Sequence, residues 1–283
     1  MAEVGLIVHL GRDEAAAHAR DLAAWLVGEG HRVRIPPDDA EVSGLARHEV
    51  DIDAFAPGLD LVVTLGGDGS ILRAVELLDR VSVPILGVDH GQLGYLTEVE
   101  PGEAQHAVER VLRGEHDLDE RMLVEIAIRS GGEVQHYLAL NEAVVERSAE
   151  VNTIRLAVDL DGEFFTTYAA DGLIVATPTG STAYAFSARG PILDPSHSAL
   201  LLTPVSPHML FDRSLVLAPT TRCRLTVDGH RPAAVSVDGR RVAVVGDGGT
   251  IECTAAAHTA RLVSLGPRRF HRVLKAKFGL NDR

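Results

Sequence analysis

Cysteine is scarce in this chain: only Cys223 and Cys253 occur in 283 residues. They lie far apart and outside any Cys-x-x-Cys spacing, which suggests neither a disulfide framework nor a zinc site, so buried reduced thiols are expected. The 13 histidines show no His-Glu-x-x-His pattern, and scattered histidines are more often packed or surface residues than metal ligands. Basic charge is also in short supply, with 27 Lys and Arg against 40 Asp and Glu and a net charge of −13. Such a chain lacks the basic face that neutralises a nucleic-acid backbone. A small anion is still allowed, because backbone N–H groups and one or two local cations can bind it inside an acidic protein. No run of about 18 apolar residues appears. The start, Met1-Ala2-Glu3-Val4, lacks the basic and apolar regions of a secretory signal. The expectation is a cytoplasmic protein with neither membrane nor nucleic acid as partner.

What is present reads as a folded globular chain, 46% hydrophobic and 24% charged, long enough for two domains. Its first part alternates strand and helix signals: strands over 4–10, 33–35, 59–65 and 83–88, with helices over 13–27, 71–78 and 102–113. Gly28 and Gly30 end the first helix, and Pro36-Pro37 stop the second strand. This order implies a parallel sheet with helices on its faces and ligands at the carboxyl ends of the strands. From about residue 120 the chain turns to short alternating segments, 123–128, 134–140, 154–160 and 164–168, which read as antiparallel strands. Asp161-Gly162, Asp228-Gly229 and Asp238-Gly239 carry hairpin-turn signals. A last helix over 268–280 places Phe270, Val273, Leu274 and Phe278 on one side, with Arg269, Arg272, Lys275 and Lys277 as a solvated face.

Three motifs carry chemistry. Gly66-Gly67-Asp68-Gly69 follows a buried strand and precedes a helix that Ser70 is placed to cap. Glycines there let the backbone approach a phosphate, and the helix N-terminus offers free N–H groups. An Asp beside a phosphate must either bind Mg²⁺ or accept a proton from an attacking hydroxyl, and both tasks belong to phosphoryl transfer. The same residues also suit a plain turn in which Asp68 caps the helix. Gly-x-x-x-x-Gly-Lys-Ser/Thr is absent, and Leu72 stands where Gly-x-Gly-x-x-Gly needs its last glycine. The second motif, Asp171-Gly172 and the run from Thr177 to Tyr184, offers a polar cradle for an adenine or ribose, or a loop that merely turns. It contains no Gly-x-Ser-x-Gly nucleophile elbow. In the third, Asn141-Glu142, a carboxylate beside an amide can grip a ribose diol. A glycine-aspartate motif alone leaves open a kinase for lipids or sugars, and a two-domain scaffold leaves open a non-catalytic dinucleotide sensor.

Together these residues resemble the NAD kinase family over almost the whole chain. The resemblance adds Leu86-Gly87-Val88, Leu93-Gly94-Tyr95-Leu96, Glu120-Arg121-Met122-Leu123, Ala139-Leu140-Asn141-Glu142, Thr177 through Ser187, Gly190-Pro191-Ile192, and Thr203-Pro204-Val205-Ser206-Pro207-His208. It implies an α/β N-terminal domain with a parallel sheet, Rossmann-like or phosphofructokinase-like, over residues 1–119. A β-rich, β-sandwich domain over 120–262 binds NAD, and a C-terminal helix over 263–283 packs back on the first domain. The implied activity is transfer of a phosphoryl group from ATP or polyphosphate to the 2′-hydroxyl of the adenosine ribose of NAD, giving NADP. Mg²⁺ or another divalent cation is held by the donor phosphates rather than by assigned residues. By resemblance Asp68 is catalytic, and Gly67, Gly69, Arg73, Asn141, Glu142, Asp171, Thr182, Ala183, Tyr184, Ala185, Phe186 and Ser187 bind nucleotide. Asp238 and Arg240 are further candidates, and a homodimer or homotetramer is implied. The chain departs from the family's pattern at Arg189, where glycine is usual, at Asp89 for asparagine and at Ser70 for threonine.

Overall fold

The computed structural model describes residues 1–91, 94–148, 153–267 and 270–280. The chain forms two compact units, residues 1–120 with 260–283, and residues 121–259.

The first unit begins β1 (Glu3–Val8), α1 (Asp13–Gly28), β2 (Arg32–Arg34), α2 (Pro37–Ser43), α3 (Ile52–Phe55), β3 (Leu61–Gly66), α4 (Asp68–Leu78), β4 (Pro84–Asp89) and α5 (Ala104–Leu112). Its strands run parallel in the order β2-β1-β3-β4. β1 and β3 are buried along their whole length, as parallel strands covered on both faces must be. Val4, Leu6 and Val8 pack with Ala15, Ala19 and Leu22 of α1 and Val108 of α5. The alternate residues face the other way, where a Cβ on Gly5 would meet the Phe55 ring and one on Gly87 would meet Ile71.

Two local expectations need correction. Pro36-Pro37 does more than stop a strand, because Pro37 opens α2 in the first helical turn, where its missing N–H costs nothing. Ser70 does not cap α4: the helix starts at Asp68, Gly67 holds the cap position without a side-chain hydrogen bond, and Ser70 lies buried inside the first turn.

The second unit contains β5 (Asp117–Ser130), which enters from the first unit, then β6 (Glu133–Ala139), β7 (Glu142–Arg147), β8 (Ile154–Leu160), β9 (Glu163–Ala170) and β10 (Gly172–Ala176). There follow α6 (Tyr184–Ser187), β11 (Leu200–Val205), β12 (Leu215–Leu217), β13 (Cys223–Val227), β14 (Ala233–Val237), β15 (Arg240–Val245) and β16 (Thr250–Ser264). One antiparallel sheet runs β12-β11-β10-β7-β14-β15, and a second layer runs β16-β13-β8-β9 with β5 paired to β6. Val124, Leu156, Val158 and Ile251 of one layer pack with Leu173, Val175, Leu200 and Val235 of the other, so the unit is a β-sandwich. Cys223 and Cys253 face each other across β13 and β16 as free, buried thiols. Burial pushes the Cys223 thiol up to about 12 and Cys253 well above the ordinary range. Towards the end of β16, Arg261 and Leu262 pair in parallel with Pro84 and Ile85 of β4. The chain ends in α7 (Phe270–Lys277), part of the first unit with Val273 buried. Arg268 and Arg269 of the expected helix lie outside the described residues.

Asp161-Gly162 and Asp238-Gly239 join β8 to β9 and β14 to β15, with φ of 54° and 87° in one turn and 46° and 82° in the other. Asp228-Gly229 is not a hairpin. β13 already has β8 and β16 on its two edges, so β14 cannot pair with it and joins the other sheet.

Arg189 also has a conformational account. It follows α6 with φ of 66°, while the N–H of Gly190 donates to the carbonyl of Ala185 at 2.8 Å and that of Arg189 to Phe186 at 2.9 Å. This is the crossed pattern that closes a helix on a left-handed residue. The position favours glycine on backbone grounds, and an arginine there costs about 1 kcal/mol.

Tyr168 is wholly buried in the sandwich core, and its hydroxyl has no hydrogen-bond partner. Burial, with Cys223 nearby, pushes that hydroxyl up to about 12. Tyr168→Phe removes the orphaned group without changing shape, so we expect stability to hold or rise by about 1 kcal/mol in denaturant unfolding. A loss of comparable size would mean that the hydroxyl has a partner in solution.

Candidate active site

In the first unit, β3 delivers the chain to Gly66, where the Ser70 hydroxyl occupies the space a Cβ would need. Asp68 opens α4, partly exposed. Its Oδ2 accepts the N–H of Tyr95 and its Oδ1 that of Leu96, both at 2.9 Å. A Cβ on Gly94 would sit on Asp68 Oδ1, so only glycine permits this approach. Asp89, at the end of β4, steadies the same turn by accepting the N–H of Gly91 at 2.9 Å and of Gly94 at 3.3 Å; Leu93 lies outside the described residues. A carboxylate has about four lone-pair sites. Two on Asp68 are taken by backbone donors, which leaves a fixed group with capacity to receive a proton. Gly67 and Gly69 have nothing within 4 Å of where a Cβ would lie, so the turn stays open to a ligand. Arg73, by contrast, is committed elsewhere. Its guanidinium holds the fully buried Asp39 at 2.8 and 2.5 Å, and Asp39 also accepts the N–H of Val8 at 2.6 Å. Burial pushes the Asp39 carboxyl above its usual range, opposed by Arg73 and the Val8 N–H.

In the second unit, Asp238 is the organiser. Its Oδ1 accepts the N–H groups of Asn141 at 2.8 Å and Glu142 at 3.0 Å, and its Oδ2 that of Leu140 at 2.8 Å. Thr177 donates its hydroxyl to Leu140 O at 2.5 Å and its N–H to Asn141 O at 2.8 Å. A Cβ on Gly180 would strike the Asn141 carbonyl. Asn141, Glu142, Asp238 and the loop from Thr177 to Tyr184 are therefore one assembly. Glu142 is buried, and its Oε2 has no hydrogen-bond partner. Desolvation, then the nearby Asp238 carboxylate, push its carboxyl up to about 8 against the opposing N–H of Tyr184. The Tyr184 hydroxyl is raised by burial and by Glu146, Asp171 and Glu142 in turn, so Asp171 stands close to this group. Asp171 also meets Arg147 at 3.5 Å.

The hydroxyls of the polar run, read as either a cradle or a loop that turns, bond mostly within their own loop. Ser181 donates to Pro178 O at 2.6 Å and accepts from Leu193 N at 2.9 Å, and Thr182 donates to Thr179 O at 3.2 Å. These hydroxyls hold the loop to itself. Beyond them Ala183 is partly exposed, Ala185 buried, and Tyr184, Phe186 and Ser187 exposed. Arg240 is exposed at the start of β15, beyond the turn that presents Asp238. Sequence reasoning missed the N–H groups of Tyr95 and Leu96, and also Asp39, which no motif marks. It missed a role for the buried Arg121, whose Nη1 donates to Thr179 at 3.3 Å. Among the described residues no group of three or more His, Cys, Asp or Glu is placed to hold a metal ion. No helix among them is long and apolar enough to cross a membrane.

Comparison with known proteins bears on these two assemblies. Residues 4–116 match the ATP-NAD kinase N-terminal domain and residues 140–265 the ATP-NAD kinase C-terminal domain. A NAD kinase of Heliobacterium modesticaldum is 40% identical over 280 residues, covering 98% of each chain. Among solved structures, yeast NADH kinase complexed with NADH has a TM-score of 0.92 at 25% identity, covering all of this chain and 89% of that one. A NAD kinase from Archaeoglobus fulgidus in complex with ATP has a TM-score of 0.74 at 25% identity, covering 100% of both chains. The turn that holds Asp68 lies within the N-terminal match and the assembly around Glu142 within the C-terminal one, and on this full-length similarity the chain belongs to the NAD kinase family.

Proposed function

We propose that this protein phosphorylates the 2′-hydroxyl of the adenosine ribose of NAD, with ATP or polyphosphate as donor, to give NADP. The observation that carries this reading is the Asp68 carboxylate, fixed by two backbone N–H groups at the end of a buried strand with lone pairs to spare. Asp68 accepts the proton as the ribose oxygen attacks the terminal phosphoryl group in line. Gly67 and Gly69 give the phosphates room, and N–H groups of the first turn of α4 face the charge that develops. In the second unit, Asn141 and Glu142 hold the adenosine half, and the orphaned Oε2 of Glu142 is a buried polar atom that a ribose hydroxyl would satisfy. Asp171 and Tyr184, with Ala183 and the residues of α6, take the rest of the dinucleotide; their acidic surroundings suit a positively charged nicotinamide. A divalent cation accompanying the donor neutralises phosphate charge and belongs to the substrate, not to a protein cage. Arg73 serves this reading by fixing α4 through Asp39.

Asp68→Asn should lower turnover by about two to four orders of magnitude, with NAD binding retained. Coupled NADP formation, measured separately with ATP and polyphosphate, is the test. Parental turnover in the variant would remove the assignment, and phosphorylation of diacylglycerol or fructose phosphate instead of NAD would favour the other kinases.

Glu142 gives a pH prediction. Its folded-state carboxyl at about 8 lies above the ordinary 4.5, so the folded protein keeps a proton that the unfolded chain releases. Its contribution is therefore fully present below about 4.5 and is lost as pH rises towards about 8, by up to about 1.4 kcal/mol per pH unit. Glu142→Gln should be more stable than the parent at pH 8 and nearly equal to it at pH 4.5. Equal pH dependence of unfolding in the two proteins would contradict the assigned cause.

A homodimer or homotetramer is also proposed, on the edge strand β9. Phe164 there is 66% exposed, and Phe165 meets Phe211 edge-on at 5.8 Å beside the exposed Leu210. An apolar open edge invites pairing. Phe164→Glu should lower the mass measured by light scattering, and an unchanged oligomer would move the contact elsewhere.

A further inference from the structure

The turn that holds Asp68 has a second support, which comes from the far end of the chain. The N–H of Tyr95 donates to Asp68 Oδ2 at 2.9 Å, so any shift of Tyr95 shifts the carboxylate. The Tyr95 ring lies beneath the Lys277 ammonium, 4.6 Å from ring centroid to Nζ. It also meets the Phe270 ring at 6.4 Å and 41°. Phe270, Val273 and Lys277 follow the i, i+3, i+7 spacing that places them on one face of α7. Val273 is buried on that face, so packing fixes the helix and the two ends of the face bracket Tyr95. The ring itself is only partly buried, and α7 supplies aromatic and cationic contacts that the turn does not supply for itself.

We propose that α7 is a clamp on this turn, with Lys277 and Phe270 acting as positioning residues for Asp68 through Tyr95; the proposal rests on the reading of Asp68 as the proton acceptor. Lys277 does not touch the reacting atoms. Its ammonium is attracted to the electron-rich face of the tyrosine ring, which holds the ring and hence the N–H that fixes one carboxylate oxygen. Proton acceptance tolerates little displacement, and shifts of an ångström or less are felt in turnover. The clamp therefore acts on turnover, while binding of NAD depends on other residues.

The test compares Lys277→Ala, Lys277→Arg, Phe270→Leu and the Phe270→Leu/Lys277→Ala pair with the parent by steady-state kinetics with NAD and ATP. Lys277→Ala should lower kcat about two- to fivefold, with KM for NAD within about twofold. Lys277→Arg keeps a cation over the ring and should restore parental kcat. The double variant should lose about tenfold or more. Thermal unfolding checks the fold; Lys277 is exposed, so its Ala and Arg variants decide the matter even if the loss of Phe270 destabilises the protein. Unchanged kcat in Lys277→Ala, a loss that Arg fails to restore, or an effect confined to KM would overturn the clamp. If Asp68→Asn loses turnover while these variants keep it, only the clamp falls. If Asp68→Asn keeps turnover, the reading of the base falls with it.

Discussion

The carboxylate of Asp68, gripped by the N–H groups of Tyr95 and Leu96, is the contact on which the geometry of the first unit's candidate site depends. It exists because β3 and β4 are adjacent parallel strands in a register that sets Gly66 opposite Asp89. Two turns then leave the sheet side by side at its carboxyl edge, where ligands of such sheets gather. One turn provides the carboxylate and the other the donors. Gly94 permits the approach, since any side chain there would collide with Asp68. The buried Asp39, paired with Arg73, fixes α4 behind it, tying the second turn of the helix to α2 and to the end of β1. A charge pair in that position contributes mainly geometry, because desolvation offsets much of its attraction.

The second unit solves a related problem at a different cost. Asp238 collects three N–H groups from the turn between β6 and β7, so the hairpin turn between β14 and β15 organises the segment that crosses from one sheet to the other. The cost falls on Glu142, whose carboxyl shares the neighbourhood of Asp238 and is forced towards its neutral form. A sequence under selection for stability alone would not place two carboxyls so close, one of them with an orphaned oxygen. Local conflict of this kind is what binding sites retain. The neutral form also changes what Glu142 can do, since a protonated carboxyl offers a donor as well as acceptors to a ribose hydroxyl.

Periodicity in the sequence was enough to place an α/β unit followed by a β-rich one, because buried parallel strands and alternating antiparallel ones leave different patterns; that the second is a sandwich came from the resemblance. Boundaries and pairings were harder. Asp228-Gly229 carried the same letters as two true hairpin turns, yet whether its flanking strands pair depends on which edges of β13 are already taken, a non-local fact. α2 was hidden because Pro37 reads as a breaker to any local rule until it is seen in the first turn of a helix. Asp68 and Glu142 stood out from their motifs. The backbone donors that fix Asp68 did not, since an N–H group has no letter of its own. Asp39 was invisible for another reason: its role comes from Arg73, which lies on a different helix.

The run from Thr177 to Ser187 shows where recognition and chemistry part. Its unusual composition makes the chain easy to place in a family, and the natural inference is that its hydroxyls face a ligand. Most of them instead bond within the loop or to the turn before β7. Gly180 has no room for a side chain because the Asn141 carbonyl lies against it. These residues are suited to forming a tight, buried loop against the Asn141-Glu142 turn, and beyond it Tyr184, Phe186 and Ser187 of α6 are exposed. Arg189 fits the same logic, since the departure falls where a helix ends in left-handed backbone. A distinctive motif can thus record a shape the backbone must take, while the Asp68 carboxylate is held by contacts that no motif spells out.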